Sequence, residues 1–301
     1  MATFTPRSLD TRAYEACPLF AKINLKYPGL RLIHERPYIF LVDDFLSAAE
    51  CEALIAKHAA GRAAGDGAAR VGQGLARTST CVVCDDAEVP ALRRRLADLA
   101  AAPLERLQGT KLSRYAPGQR FDLHTDAWSG DEPSDGDYFD DAGVALEGSW
   151  PACYNPNQNV SCTVFAYLND VAAGGRTIFP TIGIHRGPGG ASFYDAPGPF
   201  DATAYPDGSP VDDATTPFYE DANWDAFCGA VAVAPKRGTA VLHFPSLVPE
   251  AGGRADGNAM HRAEPPVGGD KYVLQQFVSS HGRWRVDATS TCQGRLSEMT
   301  L

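Results

Sequence analysis

The segment RFDLHTDAW (residues 120–128) places His124 and Asp126 one residue apart among apolar neighbours. In a β-strand, the side chains of residues i and i+2 point to the same face of the sheet. An imidazole and a carboxylate held side by side in this way can bind one cation. The pair alone is a weak signal, because HxD triplets occur by chance in many proteins, so a metal site requires a third ligand elsewhere in the chain.

The segment MHRAEPPVGGDKYVLQQFV (residues 260–278) offers that ligand, His261, just ahead of a predicted strand, and Lys271 where the strand is predicted to begin. Two histidines and one carboxylate form the facial triad of non-haem Fe(II) oxygenases, which leaves coordination positions open. In that class, 2-oxoglutarate and O2 fill the open positions. The far carboxylate of 2-oxoglutarate needs a buried cation, and Lys271 offers one. We therefore predict His124, Asp126 and His261 as metal ligands.

The elements that must position these residues change in type along the chain. The segment RPYIFLVDDFLSAAECEALIAKHAA predicts a strand over YIFLV, then a helix from about 48 to 59 that Ser47 caps. A second helix is predicted over residues 88–107. From residue 110, Gly and Pro separate short segments typical of strands: TKLSRYAP, SCTVFAYLND, TIFP, AVAVAP, TAVLHFP and KYVLQQFVSS. Helices followed by strands predict an α+β domain with a sandwich or barrel.

Composition excludes several classes of function. The chain has 301 residues, of which 44% are hydrophobic, and a formal net charge of −10 without a Lys/Arg-rich run. This balance argues against a nucleic acid or an anionic membrane as partner. No segment approaches the roughly 20 apolar residues that span a bilayer. The first residues lack the basic and apolar regions of a signal peptide, so we expect a cytoplasmic protein, or a secretory one if a leader was removed.

Two long stretches, residues 129–159 and 183–230, are rich in Gly, Pro, Asp and Asn and are predicted to be loop insertions. Both are strongly acidic. One hypothesis is that they cover the site and favour a cationic substrate. The alternative is that they are solvated loops that serve solubility.

The eight cysteines do not follow a repeating interval. The CVVC segment at residues 81–84 lies in a β-branched run, where positions i and i+3 face opposite ways, and no second pair follows at zinc-ribbon spacing. We therefore predict buried structural thiols there, with disulfides among the other cysteines left open.

In the order and spacing of its segments, the chain resembles the prolyl 4-hydroxylase-like Fe(II)/2-oxoglutarate dioxygenases. The likeness covers about residues 35–280, through RPYIFLVDDFLSAAECEALI, ARTSTCVVC, LSRYAPGQRFDLHTD, TVFAYLNDVAAGGRTIFP, APKRGTAVLHFPSL and MHRAEPPVGGDK. It implies a double-stranded β-helix, a jelly-roll or cupin-like core, with N-terminal flanking helices and the two insertions. Residues 1–34 would form an N-terminal extension and residues 281–301 a C-terminal tail.

The same resemblance implies roles for further residues. The iron ligands and Lys271 keep the roles given above, and the hydroxyl of Tyr115 would hydrogen-bond the 2-oxoglutarate. Thr177 would do the same. Retention of Asp126 implies hydroxylation of an aliphatic C–H bond rather than halogenation, with succinate and CO2 as coproducts and ascorbate as a supporting reductant. Desaturation and ring closure are alternatives.

The likeness weakens at positions that contact a peptide substrate. Peptidyl-prolyl members carry Arg shortly before the YLND-like strand, where this chain has Val160. They carry Trp and His after the lysine, where it has Phe277 and Ser279, and commonly Tyr at the position of Phe121. These differences predict a different substrate, with Val160, Phe277 and Trp128 as pocket residues.

Three functions follow as hypotheses. The leading one is a dioxygenase that oxidises a small molecule or an unusual, cationic substrate. The alternatives are a peptidyl-prolyl 4-hydroxylase and, from another class, a non-catalytic jelly-roll binding protein, which the complete ligand set disfavours. A zinc hydrolase lacks a general base at a spacing such as HExxH. His243 receives no assignment, and the oligomeric state is left open.

Overall fold

The computed structural model describes residues 8–35, 37–64, 77–84, 86–127, 159–179, 231–251, 253 and 255–280. Trp128, the predicted tail at 281–301 and nearly all of the two predicted insertions lie outside these residues. The helices are α1 (Arg12–Ala16), α2 (Ala48–Ala64) and α3 (Pro90–Leu99). The strands are β1 (Leu30–Glu35), β2 (Tyr38–Val42), β3 (Thr80–Cys84), β4 (Thr110–Tyr115), β5 (Phe121–His124), β6 (Val160–Tyr167), β7 (Thr177–Phe179), β8 (Val231–Val233), β9 (Ala240–His243), β10 (His261–Ala263) and β11 (Lys271–Ser279).

The strands form two antiparallel sheets. The larger has the order β1-β2-β9-β6-β11-β4-β3, and the smaller has the order β5-β10-β7-β8. The predicted mixture of N-terminal helices and later antiparallel strands is confirmed at this level. The six segments predicted as strands after residue 110 correspond to β4, β6, β7, β8, β9 and β11.

Helix α2 begins as its sequence predicts. The Ser47 hydroxyl accepts a hydrogen bond from the Glu50 backbone N–H at 3.2 Å, and the Glu50 carboxylate accepts one from the Ser47 backbone N–H at 2.9 Å. This reciprocal capping box satisfies two N–H groups that lack partners within the helix. The helix runs to Ala64, beyond the predicted end near residue 59. None of the described helices is long and apolar enough to cross a membrane.

The helix predicted over residues 88–107 is shorter in the structure, because α3 ends at Leu99. Ala101 has a φ of +47°, and the N–H groups of Ala101 and Ala102 bond the carbonyls of Asp98 and Ala97. This is a Schellman ending, in which a left-handed residue closes the last turn. Pro103 follows and cannot continue the helix. The prediction missed the stop because Ala rather than Gly occupies the left-handed position.

The N-terminal segment packs on the larger sheet. Tyr14 is completely buried, and its ring lies 5.2 Å from that of Tyr38 and 5.4 Å from that of Phe244. Its hydroxyl donates to the carbonyl of Ala21 at 2.5 Å and accepts from the N–H of Ile23 at 3.1 Å. The boundary predicted between residues 34 and 35 falls inside β1. The described part of residues 1–34 therefore shares the core of the sheet.

Two apolar cores lie on opposite faces of the larger sheet. One packs the helices and the N-terminal segment against it and includes Leu242 and Phe244. The other, here called the inter-sheet cluster, joins it to the smaller sheet and consists of Ile33, Ile39, Leu41, Tyr115, Phe165, Tyr167, Phe179, Val233, Val241, Ala263 and Val273. Because side chains alternate along a strand, Val241 and His243 of β9 point toward the smaller sheet.

Cys81 and Cys84 are both buried free thiols. Cys84 belongs to the helix-side core, and the antiparallel register pairs Cys81 with Ser113 of β4. Both positions confirm the prediction that the CVVC segment is structural. Burial raises the pKa of the Cys84 thiol to about 11, which leaves it protonated and unreactive at neutral pH.

We predict that Tyr14→Ala lowers the free energy of unfolding by about 3–5 kcal/mol, the usual loss for a large aromatic side chain in a core. Equilibrium unfolding in urea, followed by circular dichroism, measures the change. Leu9→Ala is the matched control, because Leu9 belongs to the same segment but is 37% exposed. A Tyr14→Ala protein as stable as the Leu9→Ala protein would mean that the N-terminal segment is not part of the core.

Candidate metal centre

Three candidate ligands converge at the end of the smaller sheet. His124 is the last residue of β5 and His261 the first of β10, and the antiparallel register places them directly opposite each other. The ligand atoms of His124, Asp126 and His261 all lie within 4.8 Å of one another. Nε2 of His124 is 3.6 Å from Oδ1 of Asp126, and Nε2 of His261 is 3.7 Å from Oδ2. The predicted set is thus brought together.

The strand positions predicted for two of these ligands need correction. Asp126 lies in a bend after β5, so the expected alternation of residues i and i+2 within one strand is wrong. Its place is fixed by the turn, in which the N–H of Ala127 bonds the Thr125 hydroxyl at 3.1 Å. His261 lies ahead of the strand that Lys271 opens, as predicted, but it also opens a separate strand, β10 in the smaller sheet, whereas β11 belongs to the larger one.

Backbone carbonyls set the orientation of both ligand histidines. Nδ1 of His124 lies 2.7 Å from the carbonyl oxygen of Asp122, and Nδ1 of His261 lies 3.2 Å from that of Ala259. A carbonyl only accepts, so each Nδ1 carries the proton and donates it. The neutral ring then presents its Nε2 lone pair toward Asp126. This arrangement is the one that supports metal-binding histidines.

Two polar atoms at the centre of the cluster lack a hydrogen-bond partner among the described residues. Nε2 of His124 and Oδ2 of Asp126 are buried without a hydrogen-bond partner. Leaving such atoms unpaired costs roughly 1–3 kcal/mol each. Two nitrogen lone pairs and a carboxylate that face one another repel unless a cation lies between them. The donor set therefore fits a divalent metal ion.

Protonation states in the cluster also suit a metal. Burial lowers the pKa of His261 to about 3, although the charge of Asp126 opposes this shift. Burial raises the pKa of Asp126, but the imidazoles of His261, His124 and His243 outweigh it and hold that pKa well below its ordinary value. At neutral pH the cluster thus contains a neutral His261 and an ionised Asp126, both in their ligand forms.

The Phe121 ring stacks on the His124 ring, and the Arg77 guanidinium lies over the Phe121 ring. The Phe121 ring lies 3.5 Å from that of His124 between centroids at an interplanar angle of 15°, and the Arg77 guanidinium lies 4.6 Å from the centroid of Phe121. Arg77 is buried and donates to the hydroxyls of Ser79 and Ser113. The stack restrains the plane of His124. The sequence predicts a substrate position at Phe121 and gives no assignment for Arg77.

Lys271 is a buried cation between the two sheets. Its side chain is 1% exposed, and its Nζ lies 5.3 Å from the ring centroid of Tyr115 and 5.4 Å from that of Tyr167. Burial lowers the pKa of Lys271 to about 7, while the charge of Glu264 opposes the shift. Glu264 is itself held by Arg176, at 2.8 Å. Among the described carboxylates none forms an ion pair with Lys271, so its charge is available to a ligand.

Strand β7 connects Lys271 with the metal ligands. The Tyr167 hydroxyl donates to Oγ1 of Thr177 at 2.9 Å, and the ring of Phe179, two residues further, lies 5.3 Å from that of His261. Tyr115 thus lies beside Nζ of Lys271, and Thr177 is hydrogen-bonded to Tyr167. Hydrogen bonds from the Tyr115 and Thr177 hydroxyls to a cosubstrate stay a prediction.

The three predicted pocket residues fare differently. Trp128 lies outside the described residues. Val160 is buried at the start of β6, and Phe277 is half-buried on β11 with Nζ of Lys111 at 4.9 Å from its ring centroid. Their contact with a substrate stays a prediction.

His243, which has no role assigned from the sequence, lies beside the candidate ligands Asp126 and His261. Its Nε2 lies 3.4 Å from Oδ2 of Asp126, and its ring lies 4.7 Å from that of His261. Alternation in β9 was the available signal, because it puts His243 on the same face as Val241. The sequence did not reveal which face of that strand meets the site.

No protein-family model matches this sequence, and no curated protein matches it. Among solved structures, a viral collagen prolyl hydroxylase from Paramecium bursaria Chlorella virus-1, in its 2OG complex, is similar with 17% identity and a TM-score of 0.44, over 81% of this chain and 97% of that one. A prolyl-4-hydroxylase from Pseudomonas putida is similar with 14% identity and a TM-score of 0.43, over 86% and 96%. These structural neighbours are prolyl hydroxylases, the class that the sequence resembles. With similarities this low, function must be inferred from the site itself.

We predict that the protein binds Co(II) and that His261→Ala weakens the binding by at least about 100-fold, the upper range for loss of a group that only supports a ligand. The physical reason is that one of three ligands is removed. Equilibrium dialysis under argon measures the dissociation constant. His34→Ala is the control, because the Nδ1 of His34 contacts the carbonyl of Pro37, in a different part of the chain. Equal affinity of wild type and His261→Ala would exclude this metal centre.

Proposed function

We propose that this chain is an Fe(II)- and 2-oxoglutarate-dependent dioxygenase that oxidises an aliphatic C–H bond, with hydroxylation as the expected outcome. The observation that carries the proposal is that two sites border one inter-sheet cluster, with Phe179 against His261 and Tyr115 and Tyr167 against Lys271. His124, Asp126 and His261 offer three ligands on one side. The buried ammonium of Lys271 stands on the other.

The three ligands support Fe(II) in particular among divalent metals. Two imidazoles and one carboxylate are the ligand set of the non-haem iron oxygenases and leave positions open for other ligands. When bound there, Fe(II) would activate O2 while 2-oxoglutarate is converted to succinate and CO2. The carbonyls of Asp122 and Ala259 hold the two imidazoles in their binding tautomer, so the ligand geometry exists before the metal arrives.

Lys271 supports 2-oxoglutarate as the cosubstrate. A carboxylate that enters the inter-sheet space loses water, and the ammonium of Lys271 compensates that loss with an ion pair that solvent screens little. The Tyr115 and Thr177 hydroxyls border the same space and can donate to the carboxylate. Tyr167 fixes the position of Thr177 through its hydroxyl.

The two antiparallel sheets support a double-stranded β-helix as the fold. They face each other across the inter-sheet cluster, and β9 to β11 pass alternately between them. In a jelly roll of this kind, two sheets enclose an apolar interior.

The substrate we propose is a small molecule or an unusual peptide rather than a prolyl peptide. Support comes from Val160, Phe277 and Ser279, which stand where the peptidyl-prolyl members carry Arg, Trp and His. Lys111 adds a positive charge beside Phe277. Recognition of a cationic substrate would thus have to come from the acidic segments at 129–159 and 183–230. A collagen-like or polyproline peptide that stimulates succinate release would instead identify a prolyl hydroxylase.

The first prediction is a visible metal-to-ligand charge-transfer band when Fe(II) and 2-oxoglutarate are added to the protein without O2. Lys271→Ala raises the dissociation constant of 2-oxoglutarate by about 100-fold, because a buried ion pair loses one partner. Lys26→Ala, which removes an exposed ammonium, leaves it unchanged. Titration of the band measures both constants. If a folded wild-type protein gives no band, a non-catalytic binding protein becomes the better explanation.

The second prediction concerns pH. Since the pKa of Lys271 is lowered to about 7 by burial, the free protein carries the ammonium below that pH and a neutral amine above it. The 2-oxoglutarate carboxylate requires the ammonium. Its dissociation constant therefore stays level below about pH 7 and rises up to about tenfold per pH unit above it.

Calorimetric titrations from about pH 6 to about pH 9 measure this profile. Lys271→Arg is the matched control, because a guanidinium keeps its charge throughout that range. We expect its binding to be weaker but independent of pH. A wild-type profile as flat as that of Lys271→Arg would show that Lys271 does not bind the cosubstrate.

A further inference from the structure

His243 stands out among the buried polar residues that the proposed function does not use. Its side chain has no solvent exposure, and neither ring nitrogen has a hydrogen-bond partner within the described chain. Burying an imidazole without a hydrogen bond costs free energy, because the ring loses its bonds to water. Such a residue in a native protein usually has a structural or functional role. The ring lies next to the candidate ligands.

The surroundings of His243 leave one strong acceptor. The rings of Phe179 and Phe165 lie 5.2 Å and 6.1 Å from it between centroids, and Ile39 is its neighbour in register on β2. These groups are apolar. Oδ2 of Asp126, at 3.4 Å from Nε2, is a carboxylate oxygen that is itself buried and without a hydrogen bond. Nε2 of His243 can donate a hydrogen bond, and Oδ2 of Asp126 can accept one.

A polar residue lies next to His243 on its other side. Thr163 of β6 lies directly across from His243 in the antiparallel register, and its Oγ1 is also buried without a partner. Side chains opposite each other in such a pair have Cβ atoms about 5 Å apart. No hydrogen bond joins that hydroxyl to Nδ1 of His243. Because a carboxylate only accepts hydrogen bonds, a proton on Nε2 of His243 is the one that Asp126 can bind.

His243 differs from the three ligands in its place. The group of atoms that lie within 4.8 Å of one another contains His124, Asp126 and His261 but not His243. His243 comes from β9 of the larger sheet, whereas both ligand histidines belong to the smaller one. It thus approaches Asp126 from the opposite sheet, toward the oxygen that lies farther from His124.

We propose that His243 is a positioning residue for Asp126, whose Nε2–H holds Oδ2 so that the carboxylate binds the metal through Oδ1 alone. The inference rests on the proposed metal site and deepens it. A carboxylate that is free to turn can bind through both oxygens and occupy a position that the cosubstrate or O2 needs. A donor fixed in β9 prevents that, and groups of this kind typically contribute 10- to 100-fold to metal affinity.

The test compares two substitutions of equal length in the full chain, His243→Gln, which keeps an N–H donor, and His243→Met, which has none. Co(II) is the probe, bound under argon at one fixed pH. We expect His243→Met to raise its dissociation constant by roughly 10- to 100-fold and His243→Gln to recover most of the affinity. At saturating Co(II), His243→Met also changes the ligand-field absorption bands, because Asp126 gains a second metal–oxygen bond, whereas His243→Gln retains the wild-type spectrum.

Phe244→Leu is the control for a structural effect. Phe244 directly follows the last residue of β9 and packs in the helix-side core. Its substitution lowers the free energy of unfolding and leaves Co(II) affinity and spectrum unchanged. Circular dichroism establishes that each variant folds, and His243→Phe, also without a donor, replaces His243→Met if the latter does not.

Equal Co(II) affinity and identical spectra for His243→Met and His243→Gln would overturn the inference. So would a wild-type protein that binds no Co(II), which would remove the metal site as well. The proposed function fails separately, if the wild type binds Co(II) but gives no charge-transfer band with Fe(II) and 2-oxoglutarate. In that case the Co(II) comparison still decides the role of His243.

Discussion

An ionised carboxylate enclosed by three imidazoles is the interaction on which the rest of the site depends. Asp126 is nearly inaccessible to water, and a buried charge without compensation costs several kcal/mol. The imidazoles around Asp126 belong to both sheets, since His124 and His261 lie in β5 and β10 and His243 in β9. Asp126 therefore contacts residues of both sheets, and a metal ion bound among these groups would compensate its charge.

The two cores divide the work of holding this site. The helix-side core, into which Tyr14 and Phe244 pack, makes the larger sheet rigid without touching the ligands. The inter-sheet cluster sets the separation of the two sheets and excludes water from the space between them. Because residues of β9 alternate between these cores, a single strand contributes both to the stability of the fold and to the surroundings of Asp126. The histidines of the site lie on strands held in this way, and side chains on strands are positioned more rigidly than side chains on loops.

Lys271 is the second buried charge, and its chemistry complements that of Asp126. The Asp126 carboxylate faces imidazoles and would be stabilised by a cation. The Lys271 ammonium faces the rings of Tyr115 and Tyr167 and would be stabilised by an anion. The side chains of Phe179 and Thr177 lie along β7 between them. A ligand that chelates a metal at one end and carries a carboxylate at the other satisfies both. Neither charge alone would define such a ligand, and their separation across an apolar space makes the combination selective.

Residue type and spacing alone determined the members of this site and most of the strands. His124, Asp126, His261 and Lys271 could be named because few chemistries need two imidazoles, a carboxylate and a buried cation in that order. Strand positions followed from alternation and from Gly and Pro between segments, and the α2 cap followed from Ser47 and Glu50.

Local patterns could not predict the end of α3, where Ala101 adopts a left-handed conformation that usually requires Gly. Nor could they predict the bend that turns Asp126 toward the histidines, or the approach of His243 from the opposite sheet. The approach of His243 depends on a contact between residues more than 100 positions apart, and only the packing of the two sheets decides which face of a strand meets the site.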